Sequence, residues 1–186
     1  MNRDNVSYVG IFLPHIDGNL DKDIPNQHVT LAFKPDAEKF DVLLQHLGKG
    51  VEVEVIGYGN DGKNEGLLVN IPDTIPYFGA EQKHITLSID PKSSAVKTGF
   101  IPFDKPIPED IASQLPDTLV GRIAVFTQDR TLVYDSNEFD EFNRFESEIA
   151  DDVLGDDASV SHTPDNEETT RNSIENQEKN TDDISL

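Results

Sequence analysis

The chain has 186 residues, 36 acidic and 15 basic side chains, a formal net charge of -21 and no cysteine. That length suits one ordinary domain with its own core, and the lack of thiols excludes disulfides and thiolate metal centres. The charge argues against tracking of long duplex nucleic acid, which relies on clustered Lys and Arg; a small phosphate ester or a single RNA end stays open if positive groups gather locally.

Nothing approaches the roughly 20 apolar residues of a membrane span, and Met1 to Leu13 lacks the zones of a signal peptide. The expected setting is the cytoplasm, or the host cytoplasm if the gene is viral, without a membrane partner. The acidity is uneven. Residues 136–186 hold 16 acids and 3 bases, a net -13. Acidic, polar composition of this kind cannot bury enough apolar surface to order itself, which predicts one domain over residues 1–135 and a largely disordered acidic tail over 136–186. Within the tail, Phe139, Phe142 and Phe145 predict a weak helix over Glu138–Ile149 that offers a surface to a protein partner.

In chain order, Ser7–Pro14 reads as a strand and His28–Phe33 as a second. Pro35-Asp36 opens a helix whose apolar stripe is Phe40, Val42, Leu43, Leu44 and Leu47, with Gly48 as the stop. Val51–Tyr58 alternates apolar with polar, the period of a half-buried strand. The run Gly57–Gly66 (GYGNDGKNEG) reads as a turn, followed by strands at Leu67–Ile71 and Lys83–Asp90. A connection through Pro102, Pro106, Pro108 and Pro116 leads to strands at Val120–Thr127 and Thr131–Tyr134, separated by the turn Gln128-Asp129. Many strands and one clear helix predict an α+β fold with antiparallel sheets.

Two of these strands carry the same tripeptide pattern: His28-Val29-Thr30 and His84-Ile85-Thr86. Successive side chains on a strand point to opposite faces. Val29, Leu31 and Phe33 therefore share one face, with His28, Thr30, Ala32 and Lys34 on the other. Ile85, Leu87 and Ile89 oppose His84, Thr86, Ser88 and Asp90 in the same way. One His-x-Thr is weak evidence. Two, each with a β-branched middle residue and each running into Leu, are much harder to reach by accident. Brought together, they supply a base, an acid and two hydroxyl donors for one phosphate. No metal or other cofactor is needed for that chemistry.

Supporting candidates are Lys34, Lys92 and Lys97 for phosphate charge, and Tyr8, Phe12 and Tyr58 for stacking on a base. His15, His46 and His162 lack the strand setting: His162 is assigned no role, His46 reads as helix surface, and His15 as a loop residue at a strand end, with a pocket-rim role as the alternative.

The paired motifs resemble those of the 2H phosphoesterase superfamily. NQHVTLAFKP, GYGNDGKNEG and HITLSI look most like its Swiss-army-knife branch of RNA-repair and phage proteins, over roughly Tyr8 to Tyr134. The resemblance implies a two-lobed fold with a pseudo-twofold axis and a central cleft. It also implies metal-independent hydrolysis of a cyclic or 2′-5′ phosphodiester, with His28, Thr30, His84 and Thr86 as the catalytic set. The substrate would be a cyclic nucleotide or oligonucleotide, or a 2′,3′-cyclic RNA end. Pro91–Gly99 is too short for a second helix like that after Asp36, so the second lobe is expected to be reduced there. Two other classes compete: a module that sequesters a nucleotide without turnover, and an interaction protein acting through its acidic tail. Which histidine is base and which is acid stays open at this level.

Overall fold

The computed structural model describes residues 3–135; the acidic tail, its Glu138–Ile149 segment and His162 lie outside the described residues. Eight strands form one antiparallel sheet: β1 (Val6–Phe12), β2 (Lys22–Asp23), β3 (His28–Phe33), β4 (Gly50–Asn60), β5 (Asn64–Asn70), β6 (His84–Ile89), β7 (Leu119–Thr127) and β8 (Leu132–Val133). The neighbour order is β1-β3-β6-β5-β4-β7-β8, with β2 beside β6 and a further pairing of β1 with β7. Six strands thus pair round a closed circuit, which leaves few long edges unpaired. The mixed, mostly antiparallel architecture expected from the sequence is present. No helix among the described residues is long and apolar enough to cross a membrane.

Helix α1 (Ala37–Leu44) begins where Asp36 caps it, the carboxylate accepting from the Lys39 amide at 2.9 Å. It buries Phe40 and Leu43. The helix stops earlier than its apolar stripe suggested; the chain winds on through shorter-range bonds, His46 N–H to Leu43 and Leu47 N–H to Leu44, and leaves at Gly48 with φ +77°. Helix α2 (Glu109–Ala112) is a single turn in the proline-rich connection and buries Ile111.

The core face of the sheet is built by alternation. Val9 and Ile11 on β1, Val29 and Leu31 on β3, Leu67 and Val69 on β5, Ile85 and Leu87 on β6, and Ile123 and Val125 on β7 are all at most 2% exposed. In β3 the alternation breaks. Phe33, expected on this face, is 67% exposed, while Ala32, expected opposite, is buried. The cause is a bulge: Val9 pairs with Ala32 but Gly10 pairs with Thr30, so Leu31 is the extra residue and everything after it turns over.

The segment GYGNDGKNEG is mostly strand. β4 runs to Asn60 and β5 starts at Asn64, leaving only Asp61–Lys63 as the turn. There the Asp61 carboxylate accepts from the amides of Lys63 and Asn64, and Gly62 takes φ +82°.

A constant offset relates the two halves of the circuit. β1 pairs β3 with Phe12 opposite His28, Ile11 opposite Val29 and Gly10 opposite Thr30, and a register shift before Gly10. β5 pairs β6 with Leu68 opposite His84, Leu67 opposite Ile85 and Gly66 opposite Thr86, and a register shift before Gly66. Residues 84 and 28, like 66 and 10, differ by 56. The same local structure therefore occurs twice, bulge included.

Candidate functional site

The two motif strands touch through one register position, Val29 opposite Ile85, and they run antiparallel. Antiparallel pairing about that position sets His28 across from Thr86 and Thr30 across from His84. Val29 and Ile85 point into the core, fully buried. The four polar side chains accordingly share the opposite face, two imidazoles and two hydroxyls arranged about a local twofold.

Both rings are held in the same way. His28 Nδ1 lies 2.8 Å from the Asn26 carbonyl oxygen, and His84 Nδ1 lies 2.8 Å from that of Gln82. A carbonyl only accepts, so each Nδ1 carries the hydrogen and each neutral ring keeps its Nε2 lone pair for another partner. Asn26 reaches this position with φ +54°. Gln27, 1% exposed, anchors the approach: its side chain bonds both backbone groups of Ile16 and the Leu87 carbonyl. On the other side, the Gln82 side chain donates to the Gly99 carbonyl.

Gly10 and Gly99 make room for the rings, and Gly66 for the strand and turn packed beside them. A Cβ at Gly10 would lie 3.3 Å from His28 Cδ2 and 2.9 Å from the Val29 oxygen. A Cβ at Gly99 would lie 2.9 Å from His84 Cε1, and one at Gly66 2.6 Å from both the Ile85 oxygen and Thr98 Cγ2. The segment after β6 forms a 3₁₀ turn, Ala95–Phe100, with Thr98 and Gly99 buried. It packs over the Thr86 side, the Thr86 hydroxyl reaching the Ala95 carbonyl at 3.4 Å. A short 3₁₀ turn thus stands where no full helix was expected.

The surroundings differ between the halves. Tyr8 stacks on His28 at 4.4 Å and on Phe126 at 4.9 Å, and Phe12 lies 5.1 Å from His28. His84 has Phe103 at 6.5 Å. Burial lowers the pKa of His28 from its ordinary value; its bond to Asn26 opposes this, and positive charge on His84 adds to it. Burial likewise lowers the pKa of His84, opposed by its bond to Gln82. The phenol of Tyr8 is pushed up to about 12 by burial.

Of the sequence-derived candidates, the structure gathers His28, Thr30, His84 and Thr86, with Tyr8 and Phe12 against the first ring. Lys34 is elsewhere. It leaves β3 with φ +41° and lies on a separate groove with Phe33 and Phe78. Tyr58 is 4% exposed and donates its hydroxyl to Glu65 at 2.6 Å, so its ring presents no free face for stacking. Lys92 and Lys97 are exposed on the segment after β6.

Sequence reasoning missed the glycines, the two carbonyl anchors and a buried carboxylate. Superposing the two motifs in the sequence brings Gly10 onto Gly66, a signal that was available. Glu65, fully buried, accepts from the Tyr58 and Ser88 hydroxyls and from the backbone and side chain of Asn19, which pins the loop after β1 onto β5 and β6. Away from the motifs, His15, Asp17 and Asp23 bring ligand-type atoms within 4.8 Å of one another, but all three are exposed. His15 Nε2 already lies 3.2 Å from Asp17 and 3.8 Å from Asp23.

Comparison with protein-family models, curated proteins and solved structures found no match to this chain.

Proposed function

We propose that the chain is a 2H-type phosphodiesterase, a hydrolase that opens a cyclic or 2′-5′ phosphodiester by two-histidine acid/base catalysis without a metal. The observation that carries this reading is the register of the motif strands about Val29 and Ile85, with each histidine across from the other strand's threonine. The repeated local structure of β7-β1-β3 and β4-β5-β6 supports the two lobes of that fold, with the motif face as the floor of the cleft.

In the proposed reaction a water attacks phosphorus. One histidine takes its proton at Nε2 as the P–O bond forms; the other gives its Nε2 proton to the ester oxygen as the opposite P–O bond breaks. Thr30 donates to the non-bridging oxygens, where charge builds, and so does Thr86 once its hydroxyl turns from the long 3.4 Å contact with the Ala95 carbonyl. The backbone carbonyls of Asn26 and Gln82 hold both rings through Nδ1, leaving Nε2 for these transfers. Charge on His84 disfavours charge on His28, which favours one ring acting as base while the other acts as acid. Tyr8 and Phe12 pack against His28 and hold its ring in place. The cytoplasmic setting and the nucleotide or RNA-end substrate belong to the same proposal.

The test is a panel of 2′,3′-cyclic nucleotides, 2′-5′ oligonucleotides and cyclic oligonucleotides incubated in EDTA, with products identified. Hydrolysis in EDTA is the expected result. Turnover abolished by EDTA would sink the metal-free chemistry, and quantitative recovery of bound, intact ligand would assign the chain to sequestration.

A further inference from the structure

We infer that the groove at the far end of β3 binds the flanking nucleotides of a short single-stranded oligonucleotide whose scissile phosphate lies between His28 and His84. This rests on the phosphodiesterase reading for the position of the reacting phosphate.

The groove encloses about 470 Å³ and is lined in part by Arg3, Phe33, Lys34, Lys39 and Phe78. Phe33 is 67% and Phe78 42% exposed, large rings that the core leaves uncovered. Each has an ammonium near its ring, Lys34 Nζ at 5.6 Å from Phe33 and Lys39 Nζ at 5.9 Å from Phe78. Exposed rings beside cations are the elements of single-strand recognition: a base stacks on the ring while the cation meets its phosphate.

No motif residue lines the groove; Phe33 is the link between it and the motif face. Tyr8, whose ring stacks on His28, is the register partner of Phe33, and cross-strand partners project to the same face. The bulge at Leu31 is what turns Phe33 to that face. Phe78 lies alongside, its amide bonded to the Leu31 carbonyl at 2.7 Å. From His28 to Phe33 is roughly 16 Å of strand, beyond the reach of a mononucleotide and within that of a short oligonucleotide. The half around His84 has no such extension, since the 3₁₀ turn covers it.

Charge limits the length of the ligand. Asp36 pairs with Lys39 at 3.0 Å and Asp4 also lines the groove, so the local excess of positive charge is small. The net charge of -21 repels long strands.

The test is fluorescence anisotropy with an end-labelled single-stranded RNA hexanucleotide and a labelled mononucleotide, on the full chain carrying His28→Ala and His84→Ala to prevent cleavage. The hexanucleotide is expected to bind at least about tenfold tighter, and Phe33→Ala with Phe78→Ala to remove most of that advantage. Lys34→Glu, at an exposed position, should do so in part and covers loss of folding in the phenylalanine pair. Equal affinity for the two ligands, or an advantage untouched by these substitutions, would overturn the inference. So would hexanucleotide binding seen only after deletion of residues 136–186, which would assign the groove to the acidic tail. Because binding is read without turnover, length-dependent affinity here together with a native chain that cleaves none of the phosphodiester panel would refute the hydrolase and leave the groove standing.

Discussion

Val29 and Ile85 face each other at the position where β3 and β6 pair, both fully buried, and the polar side chains that flank them emerge together on the other face. Two histidines 56 positions apart in the chain become neighbours through this contact, and several measurable consequences follow from how they are held.

Replacing His28 or His84 by Ala should lower kcat on the cleaved phosphodiester by roughly 10²–10⁴-fold, the usual worth of a positioned acid or base. The core face beneath is untouched, so both variants should stay folded, with His28→Ala losing more melting temperature than His84→Ala because its ring packs on Tyr8 and Phe12. Steady-state kinetics beside thermal melts check this, and undiminished turnover in either variant would remove that residue from the mechanism.

Both imidazoles titrate below their ordinary value because burial disfavours the charged form. The base loses function when it protonates and the acid when it deprotonates, so both limbs of the rate profile move to lower pH. A bell-shaped kcat/KM with its maximum below about 6.5 is expected. A maximum well above neutrality would contradict it.

The same shifts set a sign for stability. Between the lowered folded pKa values and about 6.5 the unfolded chain binds more protons than the folded one. Stability therefore falls as pH drops through that window. Denaturant titrations across it should show the midpoint declining for the native chain, and a smaller decline once both histidines are replaced by Ala.

Gly99→Ala places a methyl 2.9 Å from His84 Cε1. The ring must move to accommodate it, and a displacement on the order of 1 Å costs up to about 10²-fold in rate. The expected outcome is a large fall in kcat with a modest change in melting temperature. If kcat is unaffected, His84 is not held where it is shown.

Glu65→Gln replaces one carboxylate oxygen, in a site where four donors converge, by an amide that itself donates. One or more buried donors lose their acceptor, at about 1–3 kcal/mol each. Thermal melts should show clear destabilisation, and Tyr58→Phe should cost less, because it removes a single hydrogen bond. The double variant should cost less than the sum, since the two residues share one network.

The motif histidines, the apolar alternation of Val29, Leu31, Ile85 and Leu87, the Asp36 helix start and most strand positions were legible from the residues. Each depends on a period or a cap that acts over a few positions, so the chemistry of neighbouring side chains is enough to reveal it. Phe33 and Lys34 were misplaced, because one bulge opposite Val9 and Gly10 inverts every side chain beyond it and belongs to the pairing of two strands. The burial of Tyr58 and Glu65, the glycines beneath the two rings and the carbonyl partners of Nδ1 were likewise invisible. Those depend on which distant segments meet, and Asn19, Glu65 and Ser88 have no reason to be read together until the sheet sets them in contact. Sequence alone determined which side chains hold the chemistry; the fold decided which of them share a face, because register joins positions that no local pattern connects.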